Sequence, residues 1–162
     1  MSIRNAQPAD AAALVALIRE LAEFEQLTHL VRVTPDQLAQ HLFCPRPAAE
    51  CLVFEHEDHL VAFALFFHNF STFLGQPGLY LEDLYVRPSH RGQGIGRRLL
   101  THLAGLARQR GCGRFEWSVL DWNAQAIAFY EKLGATVMPD WRICRVTGSG
   151  LEALANSAGS RA

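Results

Sequence analysis

Apolar and polar positions recur along this chain with two periods, and the changes of period mark its elements. Leu14, Leu17, Ile18 and Leu21 fall at i, i+3, i+4 and i+7, the stripe of an amphipathic helix. Pro8 and Asp10 suit its first turn, and the pattern runs out near Phe24, Glu25 and Gln26. A second helix opens at Thr34, with Pro35 in the first helical position and Gln37 completing a capping box; it fades by Pro45. Residues 3–5 are expected to form a short first strand. Residues 50–57 and 59–70 read as a hairpin turning at Glu57 and Asp58. A turn at 75–78 leads to a strand over 79–87 that Pro88 stops. Residues 94–109 return to the helical period, with Ile95, Leu99, Leu103 and Leu106 as the core stripe and Gly111 and Gly113 as the stop. A strand over 114–120, a helix over 123–133 closed by Gly134, and two last strands over 136–138 and 141–146 are expected to follow. A helical turn at 151–155 precedes a tail, residues 157–162, expected to be disordered. This order predicts an α/β domain over residues 1–162 with a mixed sheet.

Length and charge narrow the function. The chain has 162 residues, enough for one sizeable core. Its net charge is −1, without the basic stripe of a nucleic-acid binder. The longest apolar run, over 60–67, is too short to span a bilayer, and the start of the chain lacks the apolar segment of a signal peptide. A cytoplasmic protein with no membrane partner is therefore expected. Cys44, Cys51, Cys112 and Cys144 show no paired spacing and read as buried, reduced thiols. The seven histidines are scattered, so no metal is expected.

The most informative stretch is Arg91-Gly92-Gln93-Gly94-Ile95-Gly96, between the strand ending at Val86-Arg87-Pro88 and the long helix. Three glycines in six residues expose backbone N–H groups where a helix begins, and its dipole favours an anion such as a diphosphate. Glycines at such a junction also serve tight packing. No Gly-Lys-Ser/Thr follows, so this is not a P-loop, and the acidic residue of a dinucleotide fingerprint is missing. Arg97 and Arg98 either assist phosphates or form a solvated helix face.

This Arg-x-x-Gly-x-Gly loop resembles the acetyl-CoA loop of the GNAT N-acetyltransferase superfamily. Residues 123–135, Asn-Ala-Gln-Ala-Ile-Ala-Phe-Tyr-Glu-Lys-Leu-Gly-Ala, resemble its second cofactor motif, and Ile3-Arg4-Asn5-Ala6 its start. Residues 20–25, 68–75, 78–86 and 120–123 resemble the spermidine/spermine (diamine) branch, which includes thialysine N-acetyltransferases. Ser71-Thr72 and Leu120-Asp121-Trp122-Asn123 look more like the thialysine type. The resemblance implies a mixed, mostly antiparallel sheet flanked by helices, with acetyl-CoA in a cleft between two splayed central strands. It also implies a homodimer.

By the same resemblance, Leu84, Tyr85, Val86, Arg91, Gly92, Gln93, Gly94, Ile95, Gly96, Arg97, Asn123 and Tyr130 bind the cofactor. Glu82 is the candidate base, directly or through water. An alkyl amine arrives protonated, with a pKa of about 10.4, and must lose a proton before it attacks a thioester. Tyr130 is the candidate acid for the leaving thiolate, or else a core aromatic beside Phe129. Asp83, on the opposite face of a regular strand, binds a second ammonium or sits in a structural pair. Glu23 and Glu25 form an acidic groove for a cationic substrate or a polar helix end. Trp141 contacts the amine or packs in the core. Asn123 bonds the pantetheine arm, caps its helix, or both. The reading is an acetyl-CoA-dependent N-acetyltransferase of a small amine, with two alternatives: acetylation of a protein lysine or N-terminus, and a non-catalytic acetyl-CoA sensor.

Overall fold

The computed structural model describes residues 2–157, so residues 158–162 of the expected tail lie outside the described residues. The chain falls into two compact units, the first ending at Ser118 and the second starting at Val119.

The first unit is built on strands β1 (Ser2–Asn5), β2 (Glu50–His56), β3 (His59–Ser71), β4 (Gln76–Val86) and β5 (Arg114–Trp117), in that spatial order. The first three pairings are antiparallel and β4–β5 is parallel, which gives the expected mixed sheet. Helices α1 (Ala11–Phe24), α2 (Pro35–Leu42) and α3 (Ile95–Gln109) flank it. The signals read from sequence act as expected at α2: Thr34 Oγ1 accepts from the Gln37 N–H and Gln37 Oε1 accepts from the Thr34 N–H. The β2–β3 hairpin turns on Glu57 and Asp58, with φ of 49° and 60°. Two left-handed residues in succession match the twist of the strands they join.

Cross-strand partners share a face of the sheet. Val53, Phe63 and Tyr85 stack through successive registers and pack with Leu14, Leu17 and Leu21 of α1 and Leu38 of α2. Phe54, Ala62, Ala64 and Leu81 lie on the other face, where α3 buries Leu99 and Leu103 against β3 and β4. Burial of one such side chain contributes about 1.5–3 kcal/mol.

Two irregularities in β4 set up the site. Phe66 pairs with Leu81 while the preceding Leu65 pairs with Asp83, so Glu82 is an extra residue in a β-bulge. In addition, β5 runs beside β4 only from Gly78 to Leu81. Among the described residues no strand continues beside residues 82–86 on that side, so the sheet opens there.

The second unit holds α4 (Ala124–Lys132) and α5 (Gly148–Asn156). Asn123 caps α4 by accepting from the Ala126 N–H at 3.1 Å. The two last strands expected over 136–138 and 141–146 are absent: these residues are extended coil broken by a turn at Pro139 and Asp140. A strand is held by its partner's hydrogen bonds, Pro139 has no N–H to give, and the alternation of Trp141 and Ile143 breaks at Cys144 and Arg145. Other bounds shift modestly. β4 starts three residues early, β5 stops at Trp117, and α5 replaces the single expected turn and is closed by Ser157. The cysteines depart from expectation too. All four are free, but only Cys51 is buried, Cys44 and Cys112 are half-buried, and Cys144 is exposed on the strandless stretch.

Candidate active site

Backbone conformation, not tight packing, accounts for the glycines at positions 92 and 94. After a 3₁₀ turn at Pro88–His90, Gly92 and Gly94 both adopt φ of 75°, a left-handed conformation that glycine takes without steric cost. A Cβ built on either would meet no atom within 4 Å. The glycines are therefore required by backbone conformation and leave open space in front of the loop. Gly94 is also the N-cap of α3, so no side chain caps the helix, and its first turn holds no acidic residue. The leading N–H groups of α3 are thus left to water or a ligand, and the helix dipole favours an anionic acceptor.

The side chains around this loop divide into two groups. Gln93 and Arg97 are exposed at its mouth. Ile95 is buried in the core at 2% exposure, so it can offer a ligand only its backbone. Arg98 stacks its guanidinium over the Phe54 ring at 4.7 Å, which ties it to the sheet and separates its role from that of Arg97. Arg91 turns back toward α1: its Nε donates to the Val86 carbonyl at 2.9 Å, and its guanidinium lies 5.0 Å from the Phe24 ring centre. Tyr85 is a core residue at 5% exposure whose hydroxyl donates to Glu20. Its side chain therefore does not line a cofactor path, and only its backbone can. Leu84 and Val86 share the α3-facing side of β4, opposite Ala64 and Ala62.

An acidic cluster stands where the sheet opens. Glu82 is exposed on its bulge. Asp83 is half-buried, and its carboxyl is pushed up to about 6, first by loss of water and then by the negative charges of Glu82 and Glu25. Glu25, at the C-terminal cap of α1, is half-buried, and burial raises its carboxyl as well. Asp83 thus lies within reach of the negative charges of both Glu82 and Glu25, and a cation placed beside it would relieve that repulsion. Glu23 is exposed near the end of α1. The sequence expectation places Asp83 on the face opposite Glu82 only for a regular strand, and the bulge at Glu82 makes the strand irregular there. Asp83 instead takes the register position opposite Leu65, on the face that carries Tyr85 and α1.

Three expected site residues belong to the second unit. Asn123 has the capping role described above. Tyr130 lies on α4, its ring 5.4 Å from that of Phe129. Trp141 is 74% exposed on the coil between α4 and α5, so core packing does not explain it. Sequence reasoning missed the ion pair of Glu20 and Arg87, which joins α1 to the end of β4 at 2.8 Å. No local pattern announces it, because the two residues stand 67 positions apart. Among the described residues no group of three or more His, Cys, Asp or Glu side chains could hold a metal ion, and no helix is long and apolar enough to cross a membrane.

These features agree with known proteins. The chain is 37% identical to the mouse thialysine N-epsilon-acetyltransferase, over 94% of this chain and 96% of that one. It is 36% identical to the L-ornithine N5-acetyltransferase of Arabidopsis thaliana, over 94% of this chain and 86% of that one. Among solved structures, an integron cassette protein from the mobile metagenome of V. cholerae superposes with a TM-score of 0.79 at 27% identity, covering 95% of this chain and 96% of the other. The pattern of the acetyltransferase (GNAT) family matches residues 14–135, a span that contains both the glycine loop and α4. With a sheet that opens beside β4 and a glycine loop leading into α3, the chain belongs to the GNAT family of acetyltransferases, whose members use acetyl-CoA.

Proposed function

We propose that this acetyltransferase moves the acetyl group of acetyl-CoA to a primary amine of a small cationic acceptor, of the thialysine, ornithine or diamine class. The observation that carries this reading is the cluster of Glu82, Asp83 and Glu25 at the opening of the sheet, where the charges acting on Asp83 are negative. A site that places carboxylates together in partial burial is stabilised by an ammonium group. The thialysine and ornithine acetyltransferases named above act on acceptors with that chemistry.

The residues fit acetyl-CoA. Gly92, Gln93 and Gly94, the backbone N–H groups of Ile95 and Gly96, and the side chain of Arg97 hold the diphosphate. The backbone of Leu84, Tyr85 and Val86 along the open edge of β4 holds the pantetheine arm. The cofactor supplies an activated acetyl thioester. Glu82 takes a proton from the arriving ammonium, directly or through a water, which frees the nitrogen lone pair. Asp83, Glu25 and Glu23 hold the cationic acceptor. Tyr130 would be the acid for a thiolate leaving group. The protein works as a cytoplasmic homodimer.

Initial rates with acetyl-CoA and thialysine, each varied at several levels of the other, test this. Intersecting double-reciprocal lines are expected for direct attack in a ternary complex. Parallel lines would point to a covalent acetyl-enzyme and contradict the assignment of Glu82.

A further inference from the structure

Four side chains join the end of α1 to the strand that feeds the glycine loop. Glu20 and Phe24 are one turn apart on the same face of α1. Arg87 and Arg91 flank the 3₁₀ turn at Pro88–His90. Arg87 bonds Glu20 through Nε and Nη2, at 3.1 and 2.8 Å. Arg91 lies over Phe24 at 5.0 Å and over Tyr85 at 5.7 Å, while its Nε donates to the Val86 carbonyl. Tyr85 touches both halves, since its hydroxyl donates to Glu20 at 3.3 Å and its ring lies beneath Arg91.

The geometry points to a latch: Arg91 is a positioning residue that clamps the glycine loop to Phe24 at the end of α1, so that the acceptor-side carboxylate Glu25 and the cofactor loop keep one fixed register. Arg91 opens the Arg-x-x-Gly-x-Gly motif, yet its Nε is committed to a backbone carbonyl and its plane to an aromatic ring. Both contacts hold Arg91, the first residue of the motif, to the end of β4 and to α1. Glu25 directly follows Phe24 as the cap of α1, so the contact of Arg91 with Phe24 ties the end of the helix that carries Glu25 to the start of the loop. Arg87 and Glu20 make the second, charged half of the latch one turn back. This inference rests on reading the glycine loop as the diphosphate site.

The test uses amide hydrogen exchange in the ligand-free protein, followed by titration with coenzyme A. The reporters are the amides of Arg87, His90 and Arg91, which donate to the carbonyls of Val61, Arg87 and Pro88. Phe24→Leu, which removes the ring, and Arg91→Lys, which removes the Nε donor to Val86 and the planar stack, should each speed their exchange about fivefold and leave β2 unchanged. Phe24→Tyr, which keeps a ring, should behave as wild type. Phe24→Leu should also weaken coenzyme A about fivefold, although Phe24 is assigned no contact with the ligand, and the double variant should be no weaker than Arg91→Lys alone. Unchanged exchange in Phe24→Leu, or acceleration that spreads to β2, overturns the latch. So does faster exchange with unaltered coenzyme A affinity. A wild-type protein that binds no coenzyme A contradicts the cofactor reading instead, and the exchange result still decides the latch.

Discussion

Glu82 and Asp83 are neighbours in sequence, yet Asp83 has a cross-strand partner, Leu65, and Glu82 has none. The bulge leaves Glu82 exposed at the opening of the sheet and draws Asp83 into partial burial. Two adjacent carboxylates thereby acquire different chemistry, a separation that bulges beside active sites commonly provide. The proposed roles follow this difference: Glu82 for proton transfer and Asp83 for holding charge.

Glu82→Gln keeps the size of the side chain and removes its basicity. It should lower kcat by about 10²- to 10⁴-fold, the usual contribution of a positioned base. Affinity for coenzyme A, measured by calorimetry, should stay within about twofold, since the loop residues are untouched.

Asp83 gives a pH signature with a definite sign. Its folded carboxyl titrates at about 6, above the ordinary value near 4 of an unfolded aspartate. Between those values the folded state binds more protons, so stability falls as pH rises through the window and levels off above about 6. Asp83→Asn should therefore stabilise the protein by about 1–3 kcal/mol near neutral pH, with the gain vanishing toward pH about 4. The same change should raise KM for a dicationic amine. Urea denaturation across pH and steady-state kinetics read the two effects.

Gly94→Ala places a side chain on a residue with φ of 75°. The strain should cost about 1–2 kcal/mol, with no clash to add to it, because the added Cβ meets no protein atom. It would, however, fill part of the proposed phosphate cradle. Loss of coenzyme A affinity should exceed what the stability loss explains, and thermal denaturation beside calorimetry separates the two.

Tyr130→Phe removes only a hydroxyl. If that hydroxyl protonates the leaving thiolate, kcat should fall by about 10²-fold or more while KM for the amine changes little. An unchanged kcat would leave Tyr130 as an aromatic neighbour of Phe129.

The legible parts of this chain are those set by local rules. The Thr34 capping box, the turn at Glu57 and Asp58, and Ile95, Leu99 and Leu103 of the α3 stripe follow from neighbours within a few positions, whereas the expected Leu106 is only half-buried and Leu100 and Ala107 are buried instead. The parts that escape such reading depend on distant pairing. The bulge at Glu82 exists only in register with Leu65 and Phe66, and no pattern in residues 79–87 announces it. The ion pair of Glu20 with Arg87 needs α1 docked on β4. Residues 141–146 carry a strand-like composition, but composition does not supply a partner strand. The family resemblance drew attention to Glu82 and the glycine loop, whereas the partial burial of Asp83 and the turn of Arg91 toward Phe24 emerge only from the structure.

Thiol release from acetyl-CoA tests the central claim most directly, measured across thialysine, lysine, ornithine, putrescine, spermidine, spermine and a lysine-bearing peptide. The account predicts turnover on at least one free amine with kcat/KM of about 10⁴ M⁻¹s⁻¹ or more, and much less on the peptide. Turnover on the peptide alone, or coenzyme A binding without turnover on any amine, would contradict it.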